Sequence, residues 1–137
     1  MDKRNPEGYM DLTAYEALMN LDREKKKPLV FICSPFSGNV KENIERAKRY
    51  GRFAVSQEVI PVIPHLMYPQ FLSDHDPEER MLGIEMGLEL LTRCNRLWVF
   101  GDYISQGMAV EICKAKKMHI PIQYFTISCS VTGGIKR

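Results

Sequence analysis

A glutamate lies among apolar residues in a segment that reads GDYISQGMAVEI and that follows the apolar run RLWVF. With about 3.6 residues per helical turn, Glu111 falls at the margin of the apolar side formed by Met108, Ile112 and Ala115. A carboxylate there is partly desolvated unless it is paired, and burial raises its pKa while the helix N-terminus favours its ionised form. Such a group can serve as a nucleophile or general base. The alternative is a glutamate at the rim of the helix that reaches water or pairs with a lysine.

Two small residues precede this glutamate at the predicted start of the helix. Ser105 is placed to cap it, and with the free N–H groups of the first turn it can form a small site for an anion or a hydroxyl. Gly107 allows a ligand to approach the backbone closely. The alternative is a plain serine cap followed by a tolerated glycine. The chain contains neither GxGxxG nor GxxxxGK[ST], which excludes the usual dinucleotide and P-loop motifs.

Short apolar runs alternate with helical patterns along the chain, which predicts an α/β fold. We expect a small doubly wound sheet, flavodoxin- or Rossmann-like, with four to five parallel strands and helices on both faces. Residues 1–27 are predicted to form an N-terminal helical extension and linker, and residues 28–137 the α/β domain. The predicted strands are 28–33, 59–63, 96–100 and 120–125, and the predicted helices are 11–22, 40–57, 78–94 and 105–118, with a tail that either adds an edge strand or stays loose.

The predicted order of elements also locates the site. In such sheets ligands bind at the carboxyl ends of the strands, near the point where the strand order reverses. The segments placed at that edge are CSPFSGN, PHLMYPQF and GDYISQGM. All three contain polar groups and turn-forming residues, so the segment of Glu111 and Ser105 is predicted to meet the other two there.

Composition excludes several classes of protein. The net charge is +2, from 19 basic and 17 acidic residues, and gives no sign of a nucleic-acid surface. No run of 18 or more apolar residues is present, so we expect no membrane span and a cytoplasmic protein. The four cysteines form no CxxC pair, and we expect neither a metal nor a cofactor. Asp74, His75 and Asp76 are adjacent, which favours a turn or a cap before Glu78 over a metal cluster.

Two motifs resemble those of the nucleoside 2-deoxyribosyltransferase-like superfamily, which includes deoxyribonucleoside 5′-monophosphate N-glycosidases. They are FICSPFSG at the end of the first strand and D-x-x-S-x-G-x-x-x-E after the third. The segments IPHLMYPQFL, GLELL and LWVFG are similar to an uncharacterised branch of that superfamily, mostly bacterial and phage, known as a domain of unknown function. The resemblance covers about residues 28–125.

The resemblance implies roles for particular residues. Glu111 corresponds to the glutamate that attacks the anomeric carbon, and Ser105, six places earlier, to the residue that contacts the sugar or its 5′ substituent. Glu85 corresponds to an acid that assists departure of the base, where the family more often has aspartate; the alternative is a solvated charge. The implied sugar-binding residues of the first loop are Phe31, Ser34, Phe36, Ser37 and Gly38. Phe31 replaces a frequent tyrosine, and this loop lacks the arginine of relatives that take 5′-phosphates.

The loop after the second strand and the end of the third strand complete the predicted site. His65 can donate to a base or sugar, or can instead bind backbone carbonyls. Met67, Tyr68 and Phe71 can stack on a nucleobase, with packing beneath the loop as the alternative. Asp102 can bind a hydroxyl or cap a turn. The predicted substrate-binding residues therefore also include His65, Asp102, Ser105, Gly107 and Met108.

The expected partner is a small-molecule nucleoside or nucleotide. The resemblance implies cleavage or transfer at its N-glycosidic bond through the glutamate nucleophile. The alternative is a noncatalytic nucleoside- or nucleotide-binding or sensing module of the same fold. Relatives assemble as dimers or higher oligomers, with partner residues completing the pocket, and we expect a homo-oligomer here.

Overall fold

The computed structural model describes residues 12–24 and 26–133. The strands are β1 (Leu29–Cys33), β2 (Ile60–Val62), β3 (Arg96–Phe100), β4 (Ile122–Phe125) and β5 (Val131–Thr132). The helices are α1 (Leu12–Glu24), α2 (Val40–Ser56), α3 (Pro77–Thr92) and α4 (Gln106–Lys117), and two short 3₁₀ turns, Pro64–Leu66 and Tyr68–Gln70, follow β2. None of the described helices is long and apolar enough to cross a membrane.

The strands form one sheet in the order β2-β1-β3-β4-β5. The first four are parallel, and β5 pairs antiparallel with β4 at the edge. The predicted α/β fold with a parallel sheet is therefore confirmed, and the tail adds the edge strand. In this order the chain leaves β1 in one direction to reach β2 and returns past β1 to β3. The strand order thus reverses between β1 and β3, where open α/β sheets bind their ligands.

Side-chain caps set the starts of three helices. Asn39 Oδ1 accepts from the backbone N–H of Glu42 at 3.2 Å, which begins α2. Asp76 Oδ1 accepts from the N–H of Glu78 at 2.9 Å, which begins α3 and confirms the predicted cap. Ser105 caps α4 in the same way. Because each cap satisfies an N–H that has no partner inside the helix, the three loops end at fixed residues.

Among the described residues the core consists of two apolar clusters, one on each face of the sheet. One cluster joins β1 and β3 to α3 and α4, and the other joins the same strands to α2. Since side chains alternate along a strand, neighbouring residues of β1 contribute to opposite clusters. The first cluster contains Phe31, Cys33, Leu91, Cys94, Leu97, Val99, Met108, Ile112 and Ala115, and the second contains Val30, Ile32, Tyr50, Ala54, Val59, Trp98, Phe100 and Phe125.

Apolar side chains are also exposed on two helices. Leu18 and Met19 are exposed on α1, and Met81, Leu82 and Ile84 are exposed on α3. Contiguous exposed apolar surface commonly marks a contact with another protein. The expected homo-oligomer stays a prediction, and these two helices are the surfaces on which it depends.

Candidate functional site

A buried asparagine holds the loop that leaves β1. Asn43, in the first turns of α2, is 8% exposed. Its Nδ2 donates to the carbonyls of Phe36 and Ser37, both at 3.0 Å. Gly38, next in the loop, has φ +96°, which glycine adopts far more readily than other residues. The path of residues 34–39 over the end of the sheet is therefore fixed by α2 itself.

Glu111 places its carboxyl against the end of β1. The residue is partly buried, and its Oε1 is fully buried with no hydrogen-bond partner in the described part of the chain. Burial raises the pKa of Glu111 to about 7, and the neighbouring Cys33 thiol lowers it in part. A buried carboxyl oxygen without a hydrogen-bond partner costs free energy, and few are kept in folded proteins without a role. The predicted partly dry carboxylate is what the structure contains.

A second buried oxygen without a partner lies one residue beyond β1. Ser34 is 2% exposed, and its Oγ has no hydrogen-bond partner in the described part of the chain. Ser34 lines a small cleft on the α2 face of the sheet. The other residues of the cleft come from the loop after β1, from α2, from the end of β3 and from the segment after β4: they are Pro35, Asn43, Arg46, Tyr50, Gly101, Asp102, Tyr103 and Ile127.

His65 closes the site from the β2 side. It lies in the 3₁₀ turn after β2, and its ring stacks on Phe36 with 4.9 Å between ring centroids. Burial lowers the pKa of His65, while a hydrogen bond to the Ser34 backbone and the charge of Asp74 oppose that change. The imidazole is therefore mainly neutral near pH 7, with one nitrogen able to donate and the other able to accept.

The loop after His65 exposes its apolar side chains. Met67 is 43% exposed and Phe71 is 64% exposed, so these two do not pack beneath the loop. Tyr68 is partly buried and meets the ring of Phe71 edge-on, with 5.9 Å between centroids. The surface beside His65 is thus apolar and open, as a stacking surface for a base would be.

Three predicted residues lie outside the site. Phe31 is 0% exposed and Met108 1% exposed, because both face the cluster between β1 and α4. Glu85 is exposed and lines a separate shallow hollow on α3, together with Met81 and Leu82. Phe31 lies two residues before the end of β1, where α4 covers it, and Glu85 lies on the exposed side of α3. The structure offers none of the three to a ligand held at the strand ends.

The remaining predicted residues surround the strand ends. Ser37 and Gly38 are exposed in the loop after β1, and Asp102 is exposed at the cleft. Ser105 is partly buried, and its Oγ accepts from the N–H of Met108 at 3.3 Å. A Cβ at Gly107 would meet no atom within 4 Å, so the space beside that residue is open.

Sequence reasoning missed several residues that the structure brings to this edge. Cys33 lies against Glu111, and Asn43, Arg46 and Tyr50 reach the cleft from α2. Arg46 pairs with Glu42, one turn earlier on the same helix. A polar asparagine on the buried side of α2 was a signal available in the sequence. No comparable signal indicates that Arg46 reaches the cleft, because this depends on which face of the sheet α2 covers.

Within residues 12–24 and 26–133, no three His, Cys, Asp or Glu side chains are grouped in a way that could hold a metal ion. The polar groups available to a ligand at the strand ends are hydroxyls, amides, carboxyls, the imidazole of His65 and the guanidinium of Arg46. These are groups that bind hydroxylated or nitrogen-containing organic molecules by hydrogen bonds.

Comparison with known proteins gives a family and a fold. A family model described as "Domain of unknown function (DUF7768)" matches residues 28–125. The solved structure of a 2-deoxyribosyltransferase from the psychrotolerant bacterium Bacillus psychrosaccharolyticus is similar, with a TM-score of 0.63 and 17% identity. The match covers 80% of this chain and 77% of that chain. At this identity the likeness shows the fold alone. No curated protein matches the sequence.

Proposed function

The chain belongs to the family described as a domain of unknown function (DUF7768), and we propose that it cleaves or transfers the N-glycosidic bond of a (deoxy)nucleoside or nucleotide. Glu111 is the nucleophile in this proposal. The observation that carries it is the buried Oε1 of Glu111, which has no hydrogen-bond partner in the described part of the chain and lies at the end of β1, in a fold similar to that of a 2-deoxyribosyltransferase.

The reaction would run in two steps. A carboxylate oxygen of Glu111 bonds to the anomeric carbon as the bond from that carbon to the base nitrogen breaks, and the base leaves with the electron pair. Water or a second base then attacks the same carbon and releases the carboxylate. Water would give a hydrolase and a second base a transferase. The partly dry surroundings of Glu111 destabilise its carboxylate charge, and they therefore favour the attack, in which that charge is neutralised.

Departure of the base also requires a proton. Glu85 corresponds to that acid by resemblance, but it is exposed on α3. His65 is the better candidate in this chain, because it stacks on Phe36 and interacts with the backbone of Ser34 at the same edge. In its neutral form, its N–H can donate a hydrogen bond to a ring nitrogen or carbonyl of the base and so stabilise the leaving base, while the proton that the base gains comes from water.

The pH dependence tests the role assigned to Glu111. A nucleophile must be ionised, so release of base should rise as the pH increases through about 7, the pKa to which burial raises this carboxyl. A general acid would give the opposite slope. Incubation with 2′-deoxynucleosides and their 5′-monophosphates, followed by chromatography of the free base, measures both activity and slope.

The matched variants are Glu111→Gln and Glu89→Gln. Glu111→Gln removes the nucleophile with little change in shape and should abolish base release while the circular dichroism spectrum is retained. Glu89 is exposed on α3 and pairs with Arg93 at 3.2 Å, so its substitution should leave activity unchanged. Full activity in Glu111→Gln, or no base from any substrate with the native protein, would refute the proposal.

A noncatalytic binding module is the second candidate. Its specific support is the exposed position of Glu85 together with the presence of Phe31 where relatives often have tyrosine; the site therefore lacks the second acid and the tyrosine hydroxyl that the resemblance implies. Calorimetric titration separates the two functions. Binding of a nucleoside or nucleotide without any release of base would favour the module.

A further inference from the structure

The thiol of Cys33 lies beside the Glu111 carboxyl. Cys33 is the last residue of β1, is 0% exposed, and belongs to the same cluster as Met108 and Ile112 of α4. Its Sγ lies 3.8 Å from the carbonyl oxygen of Met108, to which it donates. The thiol also lies within hydrogen-bonding reach of the Glu111 carboxyl, whose Oε1 has no other hydrogen-bond partner in the described part of the chain.

The thiol is therefore one rotatable donor between two acceptors on the same helix. A carbonyl inside a helix already accepts from the N–H four residues later, so the carbonyl of Met108 does not depend on the thiol. An S–H group is a weak donor and rotates about the Cβ–Sγ bond at little cost. A carboxylate is a much stronger hydrogen-bond acceptor than a backbone carbonyl that already accepts one hydrogen bond. Ionisation of Glu111 would thus draw the thiol away from Met108.

We infer that Cys33 is a positioning residue for Glu111: its thiol turns from the Met108 carbonyl to the carboxylate when Glu111 ionises, and holds that carboxylate at the end of β1. The inference rests on the proposed function for its catalytic consequence. The proton that Glu111 releases passes to solvent, and Cys33 keeps its own proton throughout.

The surroundings support a neutral thiol. Burial raises the pKa of the Cys33 thiol well above its usual range, and the carboxyl of Glu111 raises it further. A thiolate nucleophile at this position is therefore excluded at neutral pH, since a reactive cysteine needs a lowered pKa. Cys33 can donate a hydrogen bond to Glu111 but cannot replace it as the attacking group.

The other titratable groups of the elements packed around Cys33 and Glu111 have other partners or form no ion pair with Glu111 among the described residues. His65, at the end of β2, interacts with Ser34 and Asp74. Lys114, one turn further along α4, forms no ion pair with Glu111 in the described structure. Cys94, after α3, is buried in the same cluster as Cys33, but its Sγ lies 3.4 Å from the carbonyl oxygen of Leu90.

A direct titration of the carboxyl tests the inference without any substrate. The protein is labelled with ¹³C at the glutamate carboxyl carbons, and the resonance of Glu111 is identified as the one lost in Glu111→Gln. In Cys33→Val, which removes the donor, the pKa of Glu111 should rise by roughly one unit. In Cys33→Ser, whose hydroxyl is a stronger donor, it should stay at the native value or fall.

The control is Cys94→Val, which alters a buried thiol of the same cluster and should leave the titration of Glu111 unchanged. If valine prevents folding, Cys33→Ala removes the donor with less volume and is compared with Cys33→Ser in the same way. An unchanged titration midpoint in the valine or alanine variant, or a higher one in the serine variant, would overturn the inference.

The same variants separate this inference from the proposed function. If base is released, its pH profile should move upward in Cys33→Val and return toward the native profile in Cys33→Ser. If the titration moves as expected but no variant releases base, the role of Cys33 stands and the glycosidic activity fails. If base is released with one pH profile in all variants, the activity stands and the role of Cys33 fails.

Discussion

Ser34 and Glu111 each bury a side-chain oxygen that has no hydrogen-bond partner in the described part of the chain, and both oxygens lie at the end of β1. Cys33, the residue before Ser34, meets the carboxyl of Glu111 on the α4 face, while Ser34 lines the cleft on the α2 face. Buried polar atoms without partners are rare in folded proteins. Two of them at the tip of one central strand mark the edge at which a ligand would supply the missing hydrogen bonds.

Substitution of Glu111 by glutamine should stabilise the protein at high pH. The folded-state pKa is raised, from 4.5 to about 7, so ionisation favours the unfolded chain, and the destabilisation grows as the pH rises through that window. The free energy of unfolding of Glu111→Gln should exceed that of the native protein by an amount that increases by about 2 kcal/mol between about pH 5 and pH 8. Urea unfolding at several pH values measures it. A constant difference across that range would show that the carboxyl is not desolvated.

Two glycines near the site should respond oppositely to alanine. Gly101 has φ +120°, so Gly101→Ala should lower the free energy of unfolding by roughly 1–3 kcal/mol. A Cβ at Gly107 meets nothing within 4 Å, so Gly107→Ala should leave stability unchanged or raise it slightly. Thermal unfolding compares them. Weaker nucleoside binding in a fully stable Gly107→Ala would place the ligand over the start of α4, whereas unchanged binding would exclude that position.

Loss of the Asn43 amide should loosen the loop after β1. Asn43→Ala removes both donations, to Phe36 and Ser37, and leaves two carbonyls without that partner, at a cost of roughly 1–3 kcal/mol. Gln57→Ala, at the exposed end of the same helix, is the control and should change stability far less. Hydrogen exchange should quicken in residues 34–39 in the first variant alone. Equal stability of the two variants would show that the loop does not depend on Asn43.

Stability should fall in mildly acidic solution because of His65. Burial lowers its folded-state pKa, so the unfolded chain binds the proton more readily, and stability is lost as the pH falls from about 6.5 through the folded value. His65→Gln should reduce that loss. His75→Gln, which changes an exposed histidine, is the control and should leave the acid slope as it is. Parallel slopes for His65→Gln and the native protein would contradict the assignment.

The predicted assembly depends on exposed apolar residues of α3. Leu82 is 45% exposed beside Met81, and a charge there should prevent self-association through this face. Light scattering should show an oligomer for the native protein and a monomer for Leu82→Glu. Val55→Glu, at an exposed apolar residue of α2, is the control and should leave the mass unchanged. A monomeric native protein at high concentration would remove the basis for this prediction.

Much of the fold was predictable because its determinants are local. β3 was expected at residues 96–100 and is Arg96–Phe100, and Ser105 and Asp76 cap α4 and α3 as predicted. Apolar runs, caps and turn-forming residues act over a few positions, so the sequence displays them directly. The position of Glu111 at the margin of an apolar helix side was visible for the same reason.

Which residues form the site does not follow from local sequence, because it depends on the tertiary structure. Phe31 and Ser34 lie three residues apart, yet α4 covers the first, while the second lines a cleft that Arg46 reaches from α2. Right-handed crossovers place α2 on one face of the sheet and α3 and α4 on the other, and this determines which strand residues are covered. The sequence by itself determined the elements, their caps and a carboxylate in an apolar setting. Only the packing of helices from distant parts of the chain decided that this carboxylate is dry and that a thiol lies beside it.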